Sequence, residues 1–135
     1  MITEHVAAVK ALLGGVAPTA VYFGQVPNEP SFPYLVLYMD TGIDDETKLC
    51  ATPDAATFRF QITSVGMSDI AVGIVADKGR TAVLGVRPVV AGWKTNPIRR
   101  ETSIPVRADK DVTVPPLNLH PMFGVDTYVF ESRKD

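Results

Sequence analysis

This chain is poor in the residues from which most catalytic and metal centres are built. Of its 135 residues only one is cysteine, Cys50, and two are histidine, His5 and His120. A lone cysteine closes no intramolecular disulfide and supplies at most one ligand of a structural zinc, so redox and zinc chemistry lose their basis. His5 falls in the first predicted helix and His120 in a proline-rich loop, with no imidazole or thiol at ligand spacing near either. Both are read as surface or loop histidines. Cys50 has no histidine partner in view and is read as a thiol without a catalytic role. An excess of one charge sign is also missing, because 13 basic residues face 15 acidic ones for a formal net charge of -2. Proteins that grip phosphate backbones non-specifically are strongly basic, so contact with nucleic acid is expected to be local or incidental.

Long apolar runs are absent too. The longest, Phe32 to Met39, contains Pro33 and falls far short of the ~20 residues that cross a bilayer. No membrane span is expected. Glu4 and His5 break up the N-terminus, so no secretory signal is expected and a cytoplasm is the default residence. The glycines form neither a phosphate-binding G-x-x-x-x-G-K-[ST] nor a dinucleotide G-x-G-x-x-G, and no G-x-S-x-G nucleophile elbow occurs. Asp44-Asp45-Glu46 lacks the alternation and turn glycine of a calcium loop, and Asp109-Lys110-Asp111 carries its own counter-charge. Both are read as solvated loop charges. No catalytic group, metal site or cofactor is expected.

What remains is a composition of folded proteins, 46% hydrophobic and 21% charged. A chain of this length makes one domain, here residues 1–135, and buries roughly two thirds of its unfolded surface. Thr3 to Leu13 reads as a helix capped by Thr3 and ended by Gly14-Gly15. A short strand is expected at Val21 to Gln25, and Pro27, Pro30 and Pro33 hold the next segment extended. Tyr34 to Met39, apolar throughout, suits a central strand covered on both faces. Ala56, Phe58, Phe60 and Ile62 alternate with Thr57, Arg59, Gln61 and Thr63, the pattern of a half-buried antiparallel strand.

Ser68-Asp69 opens a second helix to about Leu84, with Val72, Val75, Ala76, Gly79 and Val83 on its buried face. Its small residues suggest close packing on a sheet. Strands follow at Arg87 to Trp93, at Ile98 to Arg107 with Pro105 marking an edge or bulge, and at Gly124 to Ser132. The order α-β-β-β-α-β-β-β implies an α+β fold, a mixed and mainly antiparallel sheet with two helices on one face. Two long polar loops, about 41–54 and 109–122, are the candidate interaction segments. The basic residues of the Ile98 to Arg107 strand, Arg99, Arg100 and Arg107, form a ribbon in which Arg99 and Arg107 share one sheet face and Arg100 takes the other. They join Asp44, Asp45, Glu46 and Lys48 as candidate subunit or partner contacts.

Several segments carry a resemblance: Val21-Tyr22-Phe23, Phe32-Pro33-Tyr34, the run F-R-F-Q-I-T-S-V-G from Phe58 before a helix, Arg87-Pro88-Val89-Val90-Ala91-Gly92-Trp93, the basic pair in Pro97-Ile98-Arg99-Arg100, and the final aromatic strand. In that order the chain resembles the tail terminator (tail completion) proteins of long-tailed bacteriophages, and its second half is similar to versions from phages of actinobacteria. The resemblance implies a structural protein of the virion at the head-tail junction, assembled in the host cytoplasm. It also implies a ring, usually a homohexamer, that caps the tail tube, ends its polymerisation and offers a surface for head-tail joining. The implied partners are further copies of itself, the major tail tube protein, the connector or stopper protein, and phage DNA passing the lumen without sequence-specific binding. Two alternatives stand beside it: another head-tail connector or tube protein of the same fold group, and a small cytoplasmic enzyme or ligand-binding domain.

Overall fold

The computed structural model describes residues 2–16, 19–28, 30–40, 43–44, 55–115 and 118–135. Helix α1 spans Ile2–Leu12 and continues as a 3-10 turn, Leu13–Val16. Thr3 therefore lies inside the helix rather than capping it, and Gly14-Gly15 tighten the chain for one more turn before it leaves. Strand β1, Ala20–Phe23, stops at Gly24, whose φ of 78° suits a residue without a Cβ. There follow β2 (Tyr34–Met39), β3 (Ile43–Asp44) and β4 (Ala55–Gly66). Helix α2 (Asp69–Val83) precedes β5 (Trp93–Thr95), β6 (Arg99–Ala108) and β7 (Met122–Lys134). Ser68 caps α2 as expected, its Oγ accepting from the Ala71 N–H at 3.1 Å and so satisfying one donor of the first turn.

The strands form one mixed sheet in the order β1-β2-β4-β7-β5, with β3 also on β4 and β6 also on β7. Among the described residues only β1 and β2 run parallel; the remaining pairings are antiparallel. This is the expected α+β class. Leu35 and Leu37 of β2, Ala56, Phe58, Phe60 and Ile62 of β4, and Tyr128 and Phe130 of β7 face the two helices. Val9 of α1, Leu13 and Val16 of the 3-10 turn, and Val75 and Val83 of α2 close that core. Gly79 has the packing reason its composition suggested: a Cβ there would meet Leu35 Cδ1 at 3.3 Å. Gly73 has none, since nothing lies within 4 Å of its Cβ position. Tyr34 and Val36 of β2 point to the opposite face, where Tyr22, Phe32, Val65 and Phe123 form a second, smaller core. Burial on both faces explains the apolar run Tyr34 to Leu37, while Tyr38 beyond it is exposed.

Three expectations need correction. Arg87 to Trp93 is not a strand; ladder pairing begins only at Trp93. Pro88 has no N–H to give a ladder, and the segment is held by side chains instead, with the Arg87 guanidinium donating to the Thr95 carbonyl and the Thr95 hydroxyl to the Pro88 carbonyl. The alternation along β6, expected with one edge or bulge signal at Pro105, is interrupted twice by register shifts against β7, between Arg100 and Thr102 and between Ile104 and Arg107. Pro105, read as an edge or bulge signal, lies in the second of them, on an edge strand. The third concerns His5, which is fully buried rather than a surface residue. Its Nε2 sits 2.7 Å from Ser132 Oγ and its ring stacks on Phe58 at 4.4 Å, which ties α1 to the far end of the last strand.

Candidate functional site

The two bulges of β6 each add one residue, so their effects on side-chain parity cancel. Arg99 opposes Val129 and Arg107 opposes Phe123, both on the face away from the helices, while Arg100 opposes Tyr128 on the helix side. The predicted sharing of faces therefore holds. The three arginines are nevertheless not equivalent. Arg99 is engaged within the chain, its guanidinium donating to both Glu131 oxygens at 2.6 and 3.2 Å. Arg107 lies over the Phe123 ring, 5.2 Å from its centroid. Arg100 is exposed and makes no ion pair among the described residues. Of the loop candidates, Asp44 has its backbone in β3 opposite Ala56; Asp45, Glu46 and Lys48 lie outside the described residues, as does Cys50.

The Arg99 guanidinium, with help from the Asn96 amide, holds the Glu131 carboxyl below the usual carboxylate range. A carboxyl whose folded pKa is depressed stabilises the fold above its unfolded pKa, about 4.3, and that contribution disappears as pH falls through the folded value. Arg99 is largely exposed, so Arg99→Ala is expected to cost no more than about 1 kcal/mol at neutral pH. In urea titrations the gap between variant and wild type should close below pH ~4; a gap that persists or widens in acid would assign Arg99 a different role.

The loops build a feature that sequence patterning did not show. Residues of the 26–32 segment and of the 109–121 segment rise on either side of β2, β4 and β7 on the face away from the helices. Between them lies an open, mainly apolar cleft of about 820 Å³, walled by Val26, Phe32, Tyr38, Val112 and Phe123, with Tyr34 in its floor and Asp109 at its side. Tyr34 packs against Tyr22 and Phe32 at ring-centroid distances of 5.4 and 5.3 Å. Burial, followed by neighbouring Tyr38, Tyr22 and Asp109, pushes its phenol pKa up. The loop expected at about 109–122 carries a bridge between Val114 and Leu119, and His120 Nδ1 lies 2.7 Å from the Val112 carbonyl. The sequence clues were the apolar alternation of Tyr34, Val36 and Tyr38 and the length of the second loop. Nothing local indicated which segment would fold over that face.

On the other side of the sheet α2 turns outward two isoleucines, Ile70 and Ile74, with 72% and 54% of their surface exposed. Among the described residues no three His, Cys, Asp or Glu side chains are placed to hold a metal ion, and none of the helices is long and apolar enough to cross a membrane. These surfaces suit contact between macromolecules.

Comparison with known proteins agrees with that character. No curated protein matches the chain. Among solved structures it is similar to a chain described as belonging to the virion of a native gene transfer agent (GTA) particle. The TM-score is 0.62 and the identity 21%, over 95% of this chain and 92% of that one. At that identity the likeness speaks for a shared fold. The family model described as tail completion protein gp17 matches residues 3–111, from α1 through β6 and into the loop beyond it, so the chain belongs to the tail completion protein gp17 family, structural proteins of the virion tail.

Proposed function

We propose that this protein acts by assembly rather than catalysis, forming a ring, a homohexamer in the reading taken from its resemblance, that caps the tail tube. The ring ends tube polymerisation and presents a surface for head-tail joining. The observation that carries this reading is that each subunit has two unlike, uncovered surfaces on opposite sides of one sheet: the outer face of α2 with its exposed isoleucines, and the cleft beneath the 109–121 segment. Unlike patches on one subunit generate head-to-tail contacts, and such contacts close into rings when the rotation between subunits allows it. The long β6, whose outer edge has no strand partner among the described residues and whose ten residues are all exposed, leaves a further surface for tube or connector. Its arginines, bulges and proline are features that discourage indiscriminate edge pairing. The near-balanced charge supports passage of DNA through the lumen rather than retention, because each phosphate contact would add a salt-sensitive grip.

The test is the mass of the purified protein by light scattering, alone and with the major tail tube protein, together with tube lengths by electron microscopy. The expected outcome is one closed oligomer, in solution or on tube ends, and tubes that stop growing once it is added. Open cylinders made of this protein would instead mark a tube subunit. A chain that neither closes nor halts tube growth would point to a connector.

A further inference from the structure

We propose that neighbouring subunits meet by seating the outer stripe of α2 from one copy in the cleft under the 109–121 segment of the next. This rests on the ring reading above and adds its seam. The stripe consists of Ile70, Ile74 and Lys78, spaced four residues apart and hence on one helix face, spanning about 12 Å at 1.5 Å per residue. Among the described residues Ile70 and Ile74 remain mostly exposed, by 72% and 54%. Gly73 beside them leaves open space where a side chain would stand, so the backbone of α2 can be approached closely there. The cleft offers the matching chemistry, an apolar trough with Tyr38 and Val112 exposed by 43% and 42%. A helix laid by its apolar face into such a groove is a recurrent mode of recognition.

Charge complementarity selects a second copy as the occupant. The helix stripe ends in an anion beside a cation, Asp77 and Lys78. The cleft is flanked by a cation and an anion, Arg107 over Phe123 and Asp109 facing Tyr34. None of these four charges has an ion-pair partner within the described residues, and each pair is the electrostatic complement of the other. Lys78 donates only to the Thr19 hydroxyl, at 3.4 Å, and the Asp109 carboxylate accepts from the Asp111 N–H at 3.2 Å. Because stripe and cleft lie on opposite sides of the sheet, the contact is head-to-tail, and every copy uses both surfaces.

Two variants of exposed residues, Ile74→Asp and Val112→Asp, test the seam, with far-ultraviolet circular dichroism confirming that each folds. The wild-type chain is expected to close into one oligomer, in solution or on tube ends, and each variant alone to remain monomeric. An equimolar mixture is expected to give a heterodimer and nothing larger, since only the intact helix of Val112→Asp and the intact cleft of Ile74→Asp can then pair. Lys78→Glu should weaken association at least tenfold, and adding Asp109→Lys to the same chain should restore most of it. Variants that still form the wild-type oligomer would overturn the seam and leave the ring standing. Larger assemblies from the mixture would also overturn it, and a wild-type chain monomeric both in solution and on tube ends would overturn seam and ring together.

Discussion

Phe58→Ala is expected to lower the stability of the fold by about 3–5 kcal/mol, the range for removing a fully buried aromatic ring from a packed core. Phe58 has no exposed surface and stands near the start of β4, directly opposite Phe130 of β7. Its ring stacks on Phe130 at 5.5 Å and on His5 at 4.4 Å. It therefore joins three parts of the chain: β4, the last strand and the first helix. Alanine would leave a void with aromatic walls and remove one face of the packing around His5, whose other ring neighbours are Trp93 and Phe130. Domains are stable by only about 5–15 kcal/mol in total, so the variant should unfold at much lower urea with little change in the slope of the transition. Arg59→Ala, one residue along and on the opposite face, is expected to cost about 1 kcal/mol, since the Arg59–Glu101 pair is solvent-exposed. A Phe58→Ala loss no larger than that of Arg59→Ala would show that the core collapses around the gap.

That core was the part of the fold most legible in the sequence. Ala56, Phe58, Phe60 and Ile62 alternate because a strand shows every second side chain to one face. Ser68 marks the start of α2 because its hydroxyl can accept from a first-turn N–H. Tyr34 to Leu37 is apolar because both of its faces are covered. What stayed hidden depends on partners distant in sequence. His5 could not be placed inside without knowing that Ser132, Phe58, Trp93 and Phe130 converge on it. Arg87 to Trp93 has the residues of a strand, but Pro88 lacks a donor and Arg87 and Thr95 anchor the segment in another way. The cleft arises only when the loop after β6 folds back over β2. Of the candidate interface residues, the strand position of the arginines and their division between faces could be read from alternation. The internal pairing of Arg99 could not, because Glu131 lies far away in the sequence. The faces came out as read only because the two bulges of β6 offset each other.

Asp126→Ala is the second substitution with a large expected effect. Asp126 lies on the helix face of β7 opposite Ile62, a position that elsewhere in the sheet holds apolar side chains. It is only 7% exposed, and the Arg80 guanidinium of α2 donates to its Oδ2 at 3.4 Å. The buried Tyr128, beside Asp126 on the same strand, lies within the field of the same guanidinium, while Arg80 Nε is buried without an acceptor among the described residues. Removing the carboxylate would strand a cation that is already short of acceptors. The expected cost is about 2–3 kcal/mol, below the 3–5 of a fully buried pair because the Arg80 side chain keeps 36% of its exposure. Replacing both partners, Arg80→Leu with Asp126→Leu, should recover most of that loss, since an apolar pair of similar size avoids the desolvation of two charges. The two-residue cycle, measured by urea unfolding, should therefore show coupling well above the roughly 0.5 kcal/mol scatter of independent sites. Near-zero coupling would mean that Arg80 finds other partners when Asp126 is gone. Strong coupling would mean that the pair acts as a polar pin. An apolar helix-to-sheet contact tolerates sliding, whereas a guanidinium paired with Asp126 fixes where α2 lies along β7, and with it the direction in which Ile70 and Ile74 face outward.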